Sequence, residues 1–121
     1  PICKKNQIPY KYVKDINSKK NIEWIKSLAP DIIFCFGWSR LLSKDLLLIP
    51  PMGVIGFHPS KLPQNRGRHP IIWSLVLGLK ETGSTFFFMK SDADSGEILS
   101  QKTLEITDND NASSLYRKIC N

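Results

Sequence analysis

The chain has 121 residues, 41% apolar and 10% aromatic, with a formal net charge of +6. That length holds one compact domain. Its longest apolar run, Ile32 to Phe36, is far short of the ~20 residues a membrane-spanning helix needs. Cys3, Cys35 and Cys120 lie far apart and form no CxxC, so neither a zinc site nor a disulfide framework is indicated. The basic balance favours anionic partners such as phosphates, nucleotides or nucleic acid. Seven lysines scattered between Lys4 and Lys26 fit a merely solvated basic surface equally well. The opening PICKKNQIPY is polar and basic, unlike a secretory leader. A reducing, cytoplasmic location is the expectation. With no initiator Met and a last stretch that stops within a helical pattern, the chain is expected to be a piece of a longer protein.

In chain order, Gln7 to Tyr12 predicts a short strand beside Pro9. Asn17 or Ser18 then caps a helix over Lys19 to Leu28, where Ile22, Ile25 and Leu28 recur at helical spacing and Trp24 widens the stripe. Pro30 ends it. Asp31 to Trp38, DIIFCFGW, is the continuous apolar run expected of a central parallel strand buried on both faces, with Gly37 turning at its end. Ser43 caps a short helix that Pro50 and Pro51 stop. GVIGFH is a second apolar strand. HPIIWSLVLGL is a helix with Pro70 in its first turn and Gly78 near its end. GSTFFFMK and GEILSQKTLEI are strands, the latter straight or bent, and NDNASSLYRKIC opens a last helix.

Strand, helix, strand, helix and then antiparallel-looking strands predict an α/β open sheet. Such folds place ligands at the carboxyl ends of their strands. Three loops are expected to converge there: Gly37–Leu42, His58–Pro70 and Lys90–Gly96, carrying Arg40, His58 and Asp94. A histidine beside a carboxylate makes a general acid/base pair, because the carboxylate can orient the imidazole and stabilise its charged form. His69, at the mouth of a helix, reads as positional or capping. Asp92 reads as turn chemistry.

The stretch GFHPSKLPQNRGRHPIIWSLVLGLKETGSTFFFMKSDADSGEILSQ resembles the folate-dependent formyltransferase family. The family signature is Asn-x-His-x-Ser-Leu-Leu-Pro-x-x-Arg-Gly, followed tens of residues later by Asp-x-Gly-x-Ile. Here the first part reads Gly56-Phe57-His58-Pro59-Ser60-Lys61-Leu62-Pro63-Gln64-Asn65-Arg66-Gly67, and the second Asp94-Ser95-Gly96-Glu97-Ile98. The upstream FGWSRLL resembles the family's pterin-binding segment. The resemblance implies a Rossmann-like open sheet of the formyltransferase type, mostly parallel with antiparallel strands late in the chain. It implies that residues 1–121 are a partial catalytic domain, without the first βα units and any C-terminal domain. Exposed sheet edges then invite pairing with another chain, a homo-oligomer among the outcomes.

The implied reaction moves a formyl group from 10-formyltetrahydrofolate to an amine, carried by a nucleotide-linked sugar or a methionyl-tRNA. The resemblance assigns proton transfer and oxyanion support to His58, with Asp94 orienting it. Backbone groups of Phe36–Leu42 and Lys90–Asp94 are implied to bracket the pterin, which puts Trp38, Ser39, Arg40, Leu41, Lys90 and Asp92 at the folate. Ser60, Arg66 and Gly67 fall on the acceptor side. Two positions depart from the pattern. The Asn that would donate to the oxyanion is Gly56, and loss of such a donor typically costs ~10²–10³ in rate; Asn65, in the adjacent loop, is the candidate substitute. Lys61 stands where the family usually has Leu. A formyltetrahydrofolate hydrolase, or a catalytically degenerate folate-binding copy, is the alternative reading.

Overall fold

The computed structural model describes residues 2–121. Its elements are α1 (Ile2–Lys5), α2 (Lys19–Ser27), β1 (Ile33–Cys35), α3 (Lys44–Leu47), β2 (Val54–His58), α4 (Pro70–Val76), β3 (Glu81–Phe88), β4 (Ile98–Glu105) and α5 (Ala112–Cys120). The four strands form one open sheet in the order β1-β2-β3-β4. β1 and β2 are parallel, with Cys35 beside Gly56. The later pairs are antiparallel: Gly56 faces Phe87 and His58 faces Thr85, and Thr85 in turn faces Gln101.

Helices cover both faces, the arrangement a parallel pair needs because its crossover must pack back onto the sheet. On one face α2 and α3 bury Ile22, Leu42, Leu46 and Val54, with Ile33, Cys35 and Met89 around them. On the other, Ile106, Leu115 and Ile119 pack with Phe57, Ile71, Leu75 and Leu104. The helix ends follow local chemistry. Ser43 accepts the Leu46 N–H at the start of α3, and Asn111 with Ser114 forms a full capping box on α5. α4 starts with Pro70 at its first turn. It ends in a left-handed Gly78, whose N–H donates to Leu75 O while that of Leu79 donates to Ser74 O, a pattern that satisfies the last carbonyls.

Two expectations fail. Gln7–Tyr12 forms no strand, and Tyr10 and Tyr12 stay exposed, stacked edge to face. With its two aromatics packed on each other, the segment finds no neighbouring ladder to join. The apolar run at Asp31–Trp38 yields only three strand residues, paired on one side alone. Ile33 and Cys35 face the first core cluster, but Phe34 and Phe36 are 59% and 55% exposed. Phe36 stacks on Phe57 and Phe86 across the sheet. These rings line a groove of about 550 Å³ that ends at Ile119 and Cys120. The run is therefore apolar on both faces, as expected, but only one face is covered among the described residues. No helix among them is long and apolar enough to cross a membrane.

Candidate active site

His58 is the last residue of β2, and its side chain is almost fully buried. The loop that follows is strapped from beneath by a buried polar chain. Thr85 Oγ1 donates to Ser60 O at 2.7 Å. Gln101 Nε2 donates to Thr85 Oγ1 and to Leu62 O, each at 2.9 Å. Ser60 Oγ donates to Gln64 O at 2.9 Å. Buried groups of this kind are stable only when bonded, and no buried side-chain N or O lacks a partner among the described residues. Ser60 is thus fully buried and shapes the loop from within. Thr85 and Gln101 were not singled out from the sequence. The one available signal was a polar residue at a strand position whose partners lie in the core.

The first two loops leave the same end of the sheet, since β1 and β2 are parallel. The third does not. β3 runs antiparallel, so its carboxyl end, Phe88, sits beside Ile55, three residues before His58, or roughly 10 Å along the strand. The Lys90–Gly96 loop doubles back over that distance, and Asp94, itself in a left-handed conformation (φ 50°), reaches the histidine. Asp94 Oδ1 lies 3.6 Å from His58 Nδ1, and Asp94 Oδ2 accepts the Gly67 N–H at 2.9 Å. The other ring nitrogen, Nε2, is 2.9 Å from Asn65 O. Arg68 donates to Ser39 O at 3.4 Å, which joins the first loop to the second. The second and third loops therefore meet at His58, and the first touches the second at Arg68.

The remaining candidates divide by what they touch. Asn65 reaches the site through its carbonyl. Arg40 turns away, donating to Lys14 O at 3.1 Å. The Leu41 carbonyl accepts from Asn17. Trp38 and Leu41 present exposed apolar surface beside Ser39. Lys90 lies 3.8 Å from Glu97, and the Asp92 carbonyl accepts from Ser95, consistent with a turn role. Arg66 is exposed and makes no ion pair among the described residues. Lys61, which stands where the family usually has Leu, is paired with Glu81 at 2.6 Å. His69 occupies the N-cap of α4 in a left-handed conformation without a side-chain cap bond, so its role is positional. No cluster of three or more potential metal ligands occurs among the described residues.

Gly56 has a physical reason of its own. A Cβ there would lie 2.9 Å from Phe87 Cζ, 3.0 Å from Phe87 Cε1 and 2.9 Å from Met89 Cγ. Phe87 is 2% exposed, so the neighbour that would have to give is itself packed in the core. The space of a side chain at 56 is thus occupied by the neighbouring strand and is not an empty notch. Gly96 is tighter still, with a Cβ placed 1.4 Å from Phe88 O. Here glycine lets the Asp94 turn cross directly over β3, where Phe88 N–H donates to Glu97 O.

A family model described as formyl transferase matches residues 3–121. The bifunctional polymyxin resistance protein ArnA of Wigglesworthia glossinidia brevipalpis is 44% identical over 116 residues, covering 96% of this chain and 18% of that protein. Methionyl-tRNA formyltransferase of Kosmotoga olearia is 38% identical over 120 residues, covering 99% of this chain and 39% of its own. This chain thus spans well under half the length of these curated relatives. Among solved structures, phosphoribosylglycinamide formyltransferase from Bacillus halodurans superposes with a TM-score of 0.88 at 25% identity, over 97% of this chain and 64% of that one. The match runs through the histidine loop, the returning aspartate turn and the sheet that carries them, and the chain belongs to the formyl transferase family.

Proposed function

We propose that this chain is the catalytic segment of an enzyme that transfers a formyl group from 10-formyltetrahydrofolate to an amine, with a nucleotide-linked amino sugar as acceptor. The observation that carries the reading is the His58–Asp94 pair: a buried imidazole at a strand end, faced by a carboxylate that a backbone N–H holds in place. Such a pair can take a proton from an attacking amine and return it to a leaving nitrogen. The surroundings suit a folate. Trp38 and Leu41 offer exposed apolar surface for a pterin, and the family resemblance implies that the backbone of 36–42 and 90–94 brackets it. When bound, the folate supplies the formyl carbon. Asp94 stabilises the imidazolium at His58. Ser60 keeps the loop in shape from within, and Gly67 holds Asp94 through its N–H.

Arg66, unpaired and beside Gly67, favours an anionic acceptor, as does the net charge of +6. The loop text NRGRHP differs from the RGAAP form associated with the tRNA enzymes of the family it resembles, which favours a small acceptor over methionyl-tRNA. We also read the chain as part of a longer catalytic domain, because Phe34 in β1 and Phe36 just beyond it stand half-exposed, and β1 has no second neighbour among the described residues. The test is direct. The protein is incubated with 10-formyltetrahydrofolate and either a nucleotide-linked amino sugar or methionyl-tRNA, and the N-formyl product is measured by mass spectrometry. Formylation of the sugar supports the proposal, and formylation of the tRNA alone corrects the acceptor. Formate release without amine would establish hydrolysis instead, and no turnover of any kind would sink the enzymatic reading.

A further inference from the structure

His58 is bracketed by two oxygen acceptors and no donor: Asn65 O at 2.9 Å from Nε2, and Asp94 Oδ1 at 3.6 Å from Nδ1. A carbonyl only accepts, so Nε2 must carry a hydrogen to face it at that distance. The Asp94 contact is longer than a hydrogen bond and leaves the Nδ1 lone pair uncommitted to any protein donor. The carbonyl is aimed by backbone conformation, since Asn65 is left-handed (φ 53°) and thereby turns its C=O back under the ring. Asparagine tolerates this conformation far better than β-branched residues do. The Ser60–Gln64 and Thr85–Ser60 bonds fix the preceding turn, and the Gly67 N–H bond to Asp94 ties the chain just after it.

We infer that the main-chain carbonyl of Asn65 locks His58 in the form protonated at Nε2, making Nδ1, on the Asp94 side, the atom that exchanges a proton. Asn65 is then a positioning residue acting through its backbone. Asn65 also lines a separate cleft of about 270 Å³ with Lys61, Gln64 and Leu79. Without the carbonyl, Asp94 would draw the hydrogen to Nδ1 and free the lone pair on Nε2, as a carboxylate-held histidine usually does. The kinetic consequence rests on the formyl-transfer reading; the tautomer does not. In that reading the acceptor nitrogen's lone pair forms the new N–C bond and sheds one proton, which the Nδ1 lone pair takes. The imidazolium keeps its Nε2–H bond to Asn65 and faces Asp94. The same proton passes to the donor nitrogen as the old C–N bond breaks and its electron pair returns to that nitrogen.

The experiment is ¹⁵N NMR of the imidazole rings in the whole protein. There are two histidines, and a His69→Asn variant assigns the spectrum. Nε2 of His58 is expected to stay pyrrole-like at every pH, while Nδ1 is pyridine-like whenever the ring is neutral. A pyridine-like Nε2 in the wild-type protein overturns the inference whether or not any variant folds. Asn65→Gly, which retains access to positive φ, is expected to preserve the ring-nitrogen pattern. Asn65→Val is expected to produce a pyridine-like Nε2 and to lower kcat about a hundredfold with the folate KM unchanged, in line with the contribution of a positioned acid/base. A folded Asn65→Val protein with an unchanged Nε2 signal also overturns it. If the wild type transfers no formyl group, the formyl-transfer reading fails and the NMR result still decides the tautomer.

Discussion

Replacing Gly56 by Ala tests whether this glycine is a lost catalytic amide or a packing requirement. The added methyl would sit 2.9 Å from both Phe87 Cζ and Met89 Cγ, inside van der Waals contact by roughly a full ångström. Phe87 is buried at 2% exposure between β2 and β4, so moving its ring aside disturbs a packed core. Overpacking of this kind costs about 1–3 kcal/mol. Gly56 has no left-handed backbone requirement, so Ala recovers about 0.4–1 kcal/mol by restricting the unfolded chain. The net loss is then about 1–2 kcal/mol, or a Tm fall of roughly 4–10 °C for a domain of this size. Gly56→Asn would add an amide with no buried partner, at about 1–3 kcal/mol more. Thermal unfolding by circular dichroism measures both. A double-mutant cycle with Phe87→Leu should return a favourable coupling, since the smaller side chain vacates the contested space. An unchanged Tm for Gly56→Ala, or a Gly56→Asn protein that folds normally and is far more active, would refute the packing account.

Three further outcomes are expected. Gly96→Ala drives a methyl onto Phe88 O at 1.4 Å, which the backbone can relieve only by breaking the Phe88–Glu97 bond. A loss above about 4 kcal/mol is expected, and a near-native melting curve would contradict it. Asp110 is held well below the usual carboxylate range by the Lys118 ammonium, aided by the Thr107 N–H and the Ser114 hydroxyl. A depressed folded-state pKa contributes stability above the unfolded value and loses it as pH falls, so Asp110→Asn should flatten the acid side of a Tm–pH profile below about pH 5; parallel profiles would disprove the link. Asp94→Asn keeps an oxygen for the Gly67 N–H but removes the charge beside His58. Formyl transfer should fall about 10²–10⁴-fold at little cost in Tm, and an equally active variant would remove Asp94 from the chemistry.

Much of the site was readable beforehand because its parts are local. His58 and Asp94 each sit in short text whose turn residues and flanking strands announce a loop at a strand end. The helices were readable for the same reason: the Ser43 cap, Pro70 at the start of α4 and Gly78 at its end act within one turn. What was not readable are contacts between residues distant in sequence. Asn65 was considered for its amide, but the group that touches His58 is its carbonyl, turned there by a positive φ. Arg40 was placed at the folate, whereas its guanidinium is bound to the Lys14 carbonyl, twenty-six residues away. Ser60, expected on the acceptor side, is fully buried, and its carbonyl accepts from Thr85.

The amino-acid order alone determined the alternation of strands and helices, because periodicity, prolines and caps are short-range properties of the chain. It also determined which histidine and which carboxylate to watch. Only the tertiary structure decided why position 56 is glycine, since the reason is a phenylalanine on the adjacent antiparallel strand, thirty-one residues later. It alone decided that both nitrogens of His58 face acceptors, because those acceptors arrive from separate loops, one of which doubles back over the strand end. Steric exclusion and hydrogen-bond partnership between distant segments depend on register and strand direction, and neither is set by any short stretch of sequence.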